Sequence, residues 1–238
     1  MLLLPAILLA AWLLSGCSPA RHVPEGKYLL DDVKINLNDS TGRLDQQQLM
    51  TYVRMQPNHK MLWATKFRLG IYNMSGNDST KWWNRWVRKL GEAPVIFDST
   101  ATMTDAGQLR KAMVNAGFLD ATVSADTFAY RNKRKMKVEY NLHAGMPHII
   151  RSVNYEFPND TLRSLIMKDS ARFTVRPGDP LDISLLETQR ELLTTRLRSN
   201  GYYAFGKEFI TFNADTTEGS HDVDLTMTVK PAYPSDSP

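Results

Sequence analysis

Five histidines, one cysteine and one adjacent carboxylate pair are the side chains in this 238-residue chain with the means to do chemistry. His22, His59, His143, His148 and His221 are scattered. None forms a His-x-x-x-His or Cys/His cluster, so no metal centre is expected. Asp31 and Asp32 offer a carboxylate pair, but they sit in a run that alternates like a strand. Neighbours on a strand point to opposite faces, which argues against shared acid–base work. The chain holds no Gly-x-Ser-x-Gly, no phosphate-cradling glycine loop and no dinucleotide fingerprint. No catalytic residue, metal ligand or cofactor is therefore assigned, and an enzyme is not expected.

The bulk numbers agree with a binding or structural role. A chain that is 42% hydrophobic and 23% charged has an ordinary globular balance, with length for one or two domains. A formal charge of +4 and a pI near 9.1 are mildly basic. No basic run is interleaved with a nucleic-acid motif, so no nucleic-acid partner is expected. One cysteine excludes an intrachain disulfide.

The cysteine has a telling place. Residues Met1 to Leu14 are almost wholly apolar and carry no charged side chain. Such a run is short for a bilayer span and suits a signal-peptide core. It ends Leu14-Ser15-Gly16-Cys17, which resembles the lipobox of bacterial lipoproteins. The resemblance implies cleavage before Cys17 and lipid (palmitate among it) on that residue. Residues 1–16 would then be the leader, and 17–27, with Pro19 and Pro24, a polar tether. More than one acyl chain anchors stably, since each buried CH₂ contributes roughly 0.8 kcal/mol. No Lys or Arg precedes the apolar core, which departs from ordinary leaders. A plain secretory signal and a short transmembrane anchor are the other readings of the same run.

The elements behind these residues are written twice. At an offset of 84 (201 less 117), Leu109, Met113, Gly117, Phe118 and Phe128 fall on Leu193, Leu197, Gly201, Tyr202 and Phe212. One residue of slippage carries Val138, Tyr140 and Leu142 onto Val223, Leu225 and Met227. In the first copy Val33, Ile35 and Leu37 alternate as a strand over 28–37, and a helix is expected over Leu44–Met55, stopped by Pro57. Thr102 and Asp105 have capping-box spacing before a second helix that Gly117 ends. Strands follow over 121–130 and 136–142. In the second copy a strand opens at His148 and a short helix covers 161–169. The turn Pro177-Gly178-Asp179-Pro180 precedes a helix started by Ser184 and Glu187. Gly201 ends that helix, a β-prone run covers Tyr203 to Phe212, and a last strand covers 222–230. Residues 233–238 form a proline-rich tail expected to be disordered.

Each copy therefore reads β-α-α-β-β, an α+β fold. That order, the Gly178-Asp179-Pro180 turn and the Gly201-Tyr202-Tyr203-Ala204-Phe205 exit resemble POTRA domains, the periplasmic modules of outer-membrane assembly factors of the BamA and TamA type. The resemblance implies two tandem units, 28–147 and 148–232, each a three-stranded mixed sheet covered by two helices. The departure is an insertion at about 57–98 in the first unit, roughly 35 to 40 residues by the internal alignment. That family also carries a C-terminal barrel of at least eight strands of about 9 to 11 residues. Nothing after Pro231 would build one, so an N-terminal piece or a stand-alone POTRA lipoprotein is expected.

Two surfaces are candidates for binding. A three-stranded sheet leaves an edge with free N–H and C=O groups, which accepts an extended segment as an added strand. The resemblance puts that edge on the strand after the second helix: Val123, Ala125 and Thr127 in one unit, Tyr203, Phe205, Phe209 and Thr211 in the other. The implied partners are unfolded outer-membrane clients, the barrel and accessory assembly proteins, with the membrane reached through Cys17 at the outer membrane. A structural envelope lipoprotein that scaffolds other proteins is the rival reading. The insertion is the second surface. Trp82, Trp83 and Trp86 lie on one side of a short helix and Arg85 and Lys89 largely on the other. That face suits a membrane interface, or packing on the core or on a partner protein.

Overall fold

In this computed structural model, residues 20, 22–59, 67–75, 80–131, 134–216 and 219–231 are described. Residues 1–16, expected as a leader, Cys17 and the expected tail 233–238 lie outside them. In chain order the elements are β1 (Leu29–Asn38), α1 (Gln46–Met50), α2 (Phe67–Asn73), α3 (Trp82–Leu90), α4 (Ser99–Asn115), β2 (Thr122–Tyr130) and β3 (Lys135–His143). Then come β4 (Ile149–Glu156), α5 (Asp160–Met167), α6 (Ile183–Ser199), β5 (Ile210–Thr216) and β6 (Asp222–Val229). They build two three-stranded sheets, ordered β1-β3-β2 and β4-β6-β5. In the second sheet β6 is parallel to β4 and antiparallel to β5. The fold is the mixed α+β arrangement that the element order implies.

By contact density the chain forms two compact units. Of the described residues, one comprises those up to Asn36 with those in Met50–Gln108 and Val123–Leu142; the other comprises Leu37–Leu49, Leu109–Thr122 and those from His143 on.

The repeat is carried by backbone geometry. Helices α4 and α6 are each 17 residues long and coincide at the offset of 84. Both are capped by an aspartate at equivalent positions. The Asp98 carboxylate accepts from Thr100 N–H at 2.8 Å, and Asp182 accepts from Ser184 N–H at 2.7 Å. These caps correct the expected starts at Thr102 and Ser184. Thr102 is buried inside its helix, its hydroxyl donating to Asp98 O at 2.9 Å, and Ser184 Oγ donates to Asp182 itself at 2.6 Å. Glu187 pairs with Arg190 one turn on instead of reaching back. Capping-box spacing alone does not separate a cap from the first turn it serves.

Both helices also end alike. Phe118 N–H bonds Met113 O at 3.1 Å and Gly117 N–H bonds Val114 O at 3.0 Å; Tyr202 and Gly201 repeat the pair onto Leu197 and Arg198 at 3.1 and 3.2 Å. This is the Schellman pattern, with glycines at φ +94° and +98°.

Helix α1 is shorter than expected. Its chain leaves helical geometry after Met50, while Val53 and Met55 stay buried. The Met55 N–H donates to buried Asp105 on α4 at 3.1 Å, which satisfies it outside a helix. Asn58 then clamps the far end of the insertion, donating to Ala93 O at 2.7 Å and accepting from Val95 N–H at 3.1 Å. Isolated bridges pair Leu29 with Ile96 and Ile149 with Pro180. The sequence separation of the bridged residues is thus 36 greater in the first copy, 67 against 31.

Each core follows from strand alternation. On β6, Val223, Leu225, Met227 and Val229 are buried; on β3, Val138, Tyr140 and Leu142 are. Burial pushes the Tyr140 hydroxyl up to about 12, and the negative charge of Asp105 adds to the effect. In the second sheet, β4 and β6 are clamped on the surface. Asp224 accepts from Arg151 Nε at 3.1 Å and from Ser152 Oγ at 2.5 Å. The Arg151 hydrogen bond, then that from Ser152, holds the carboxyl of Asp224 at about 2, below its ordinary value near 4. A folded pKa lowered in this way gives stability that is present above about pH 4 and lost as pH falls toward 2. Asp224→Asn is therefore expected to flatten that part of the acid stability curve, read by urea unfolding at stepped pH. An unchanged slope would remove the clamp from the account.

Candidate functional site

The edges of the sheets are unequal, and the same local device makes them so. The outer strand β1 is overlaid at its start: Leu30 N–H donates to Val95 O and Phe97 N–H to Tyr28 O, both at 2.8 Å. β4 receives the same cover. Ile150 N–H donates to Asp179 O at 2.9 Å, Gly178 N–H to Ile150 O at 2.7 Å and Leu181 N–H to His148 O at 2.9 Å. Among the described residues, β2 and β5 are outer strands that pair on one side, with β3 and β6 respectively. A row of unpaired backbone donors and acceptors on such an edge templates an added strand.

On β2, Val123 and Ala125 are half-buried and Thr127 is exposed. Phe128 and Tyr130 follow, 50% and 41% exposed, so the distal half of this edge is aromatic and open. A polar rung fixes its register. Asn36 on β1 donates to Asn141 on β3 at 2.8 Å, and Asn141 donates to Asp126 on β2 at 2.7 Å.

On the other sheet the edge starts later than the sequence suggests. Tyr203 lies in a turn and is 82% exposed, Phe205 is 1% exposed, and Phe209 ends a short 3₁₀ turn, Lys207–Phe209. Of the four residues proposed there, only Thr211 is on β5. The delay has a local cause. After Gly201 the chain turns, with Phe205 N–H donating to Tyr202 O at 3.0 Å and Arg198 Nε to Phe205 O at 2.7 Å. Phe209 N–H then closes on Gly206 O at 3.2 Å, and pairing begins at Ile210.

The Lys230 N–H to Phe209 O bond at 2.7 Å sets the phase of that edge. Residues 209, 211 and 213 turn their backbone groups toward β6; Ile210, Phe212 and Ala214 turn theirs outward. Phe212 and Ala214 therefore carry the free edge groups beside Thr211. Alternation past Phe209 was the sequence signal for them, but it does not give phase without the partner strand.

The insertion helix α3 buries a side other than its tryptophan stripe. Asn84 and Val87 are buried, whereas Trp82, Trp83 and Trp86 are 71%, 53% and 51% exposed. The tryptophans touch one another, Trp83 stacked on Trp86 at 5.3 Å and edge-on to Trp82 at 5.8 Å. Arg85 and Lys89 are exposed as well. The reading in which this stripe packs on the core is thereby overturned. What α3 rests on is α2: a Cβ on Gly91 would lie 2.5 Å from Tyr72 N, so the backbones touch there.

His148 and His221, far apart in sequence, meet with ring centroids 5.1 Å apart, and Asp120 Oδ2 lies 3.7 Å from His221 Nε2. A shallow cleft beside Tyr28, Phe97 and Met136 holds Lys27 and Asp98, and Asp98 is committed to capping α4. Among the described residues no three potential ligands group around a metal site, and no helix is long and apolar enough to cross a membrane.

Residues 149–232 match the POTRA family, described as a surface antigen variable number repeat. No curated protein matches the sequence. Among solved structures, BamA from Haemophilus ducreyi lacking POTRA domains 1–3 is similar at 18% identity over 59% of this chain and 24% of its own, with a TM-score of 0.36. POTRA1-2 of the periplasmic domain of Omp85 from Anabaena is similar at 13% identity over 87% of this chain and 99% of its own, TM-score 0.36. CdiB from Escherichia coli is similar at 10% identity over 95% of this chain and 33% of its own, TM-score 0.32. The chain thus spans about a quarter of that BamA chain and a third of that CdiB chain. With TM-scores below 0.5, the family match over 149–232 is the finding that ties the chain to known proteins.

Proposed function

We propose that this chain is the periplasmic POTRA region of an outer-membrane protein assembly or translocation factor, anchored by lipid on Cys17. Its modules, 28–147 and 148–232, take extended segments of unfolded barrel precursors as added strands along β2 and β5, with no catalytic role. The family match over 149–232 supports the class. The observation that carries the mode of binding is the asymmetry of the edges: each sheet has one outer strand overlaid at its start and one that pairs on a single side. Backbone pairing reads extension rather than side-chain sequence, which suits a site for many precursors.

Proline gives the test. Ala214 turns its N–H outward, so Ala214→Pro removes an edge donor and leaves the β5–β6 ladder intact. A photo-cross-linker at Phe212 is expected to capture an unfolded barrel precursor, and Ala214→Pro to cut that yield about tenfold, one or two strand hydrogen bonds at roughly 1 kcal/mol each. Asn213→Pro, which faces β6, should unfold the edge and serves as the folding control. Full capture by Ala214→Pro, with the fold intact, would sink edge pairing at β5. A stable envelope partner retained after proline substitution of both edges would favour the scaffold reading instead.

A further inference from the structure

The three exposed tryptophans of α3 have no place in strand addition. They make a contiguous aromatic plate on a helix whose other side is already packed. At roughly 100° per residue, Trp82, Trp86, Leu90 and Trp83 share one arc, with Arg85 and Lys89 on the arc beside it. Asn84, Val87 and the half-buried Arg88 fill the remainder, toward α2. No acidic residue occurs from Trp82 to Leu90. Indole rings backed by exposed cations are the composition favoured where headgroups meet acyl chains.

The same block holds the start of the described chain. Ala20 and Val23 pack with Leu29 and with Leu69 of α2. His22 meets the Tyr72 ring edge-on at 5.6 Å and its Nε2 lies 3.2 Å from Ser75 O. Arg88 of α3 donates from Nε to Ser75 Oγ at 3.0 Å and lies over the Tyr72 ring at 5.8 Å. Tyr72 and Ser75 therefore join the segment at residue 22 to the tryptophan helix. Cys17 is three residues before Ala20, a reach of at most about 10 Å.

We infer that α3 is a membrane-interface foot: Trp82, Trp83 and Trp86 enter the headgroup boundary of an anionic bilayer while Arg85 and Lys89 pair with its phosphates. This rests on the anchored reading of Cys17 and adds a second, non-covalent contact that fixes how the tethered unit stands on the surface. Two signals hold a protein on a bilayer far better than one.

The full chain, reconstituted through its own N-terminus into phosphatidylethanolamine–phosphatidylglycerol vesicles, provides the test. Acyl chains brominated near the headgroup are expected to quench its tryptophan fluorescence. The triple variant Trp82→Ser, Trp83→Ser, Trp86→Ser should lose that quenching at least about threefold, leaving Trp63 as background, since cleavage before Cys17 removes Trp12. Arg85→Glu with Lys89→Glu, at two exposed positions, should weaken the quenching while keeping all four tryptophans of the processed chain, and zwitterionic vesicles should do the same to the wild type. Flotation of the vesicles reports the anchor separately. A chain that floats with Trp82, Trp83 and Trp86 unquenched overturns the foot and leaves the anchor standing; this is the result expected if α3 docks on a protein. A chain that does not float overturns both.

Discussion

Phe205→Ala should cost about 3 to 5 kcal/mol of stability, whereas Tyr203→Ala, two residues away, should fall within about 0.5 kcal/mol of wild type. The two rings look alike in the sequence, where both begin the same β-prone run. In the structure Phe205 is 1% exposed, packed among Leu193, Leu197, Ile210, Met227 and Val229, with its ring 5.4 Å from that of Phe209. Truncation there leaves a cavity walled by α6 and the sheet, which the surroundings cannot fully fill. Tyr203 is 82% exposed and buries almost nothing. Urea unfolding of the two variants measures the difference. If Phe205→Ala were nearly neutral in stability, the ring would be free to serve as an edge contact and its placement in the core would be wrong.

The second large effect separates the two equivalent glycines. Gly117→Ala should destabilise by about 2 to 4 kcal/mol and Gly201→Ala by about 1 to 2 kcal/mol. Both sit at positive φ in the same Schellman turn, so both pay for a side chain in the left-handed region. Only Gly117 is also pressed from outside. A Cβ there would lie 3.1 Å from Leu181 O and 3.4 Å from Leu181 C and N, all backbone, while around Gly201 there is open space. The Gly117 carbonyl is held as well, accepting from His148 N–H at 2.8 Å, and Leu119 packs against the cluster of Ile150, Leu181 and Val223. A backbone neighbour gives way less readily than a side-chain tip, so relief must come from shifting the turn at 178–181. Equal midpoints for the two variants in urea would show that the close approach costs nothing.

Much of the fold was legible because it is local. The offset of 84 carried the helix ends, since a glycine at the left-handed position is a near-neighbour requirement. It also held the two caps, unread: Asp98 and Asp182 stand at the same offset, each two residues before the N–H it accepts from. Alternation on β3 and β6 marked their buried faces because a central strand keeps one side against its helices. The strand edges were half legible. β2 was placed along nearly its whole length, but the other edge was drawn over Tyr203, Phe205 and Phe209, where Arg198 and a 3₁₀ turn hold the chain off the sheet.

By itself, the sequence determined the repeated β-α-α-β-β order, the glycine turns, the extra length of the first copy and the short apolar run before Cys17. Those are set by spacing, backbone conformation and composition, all properties of neighbouring residues. Tertiary structure decided which outer strands are covered, which backbone groups of β5 face outward, and which side of α3 is buried. Each depends on a chain segment far away in sequence: Val95 over β1, Asp179 over β4, Lys230 beside Phe209, Tyr72 beneath Gly91. Tertiary structure also brings together His148 and His221, which nothing in the sequence marks as a pair: their ring centroids are 5.1 Å apart, with Asp120 Oδ2 3.7 Å from His221 Nε2.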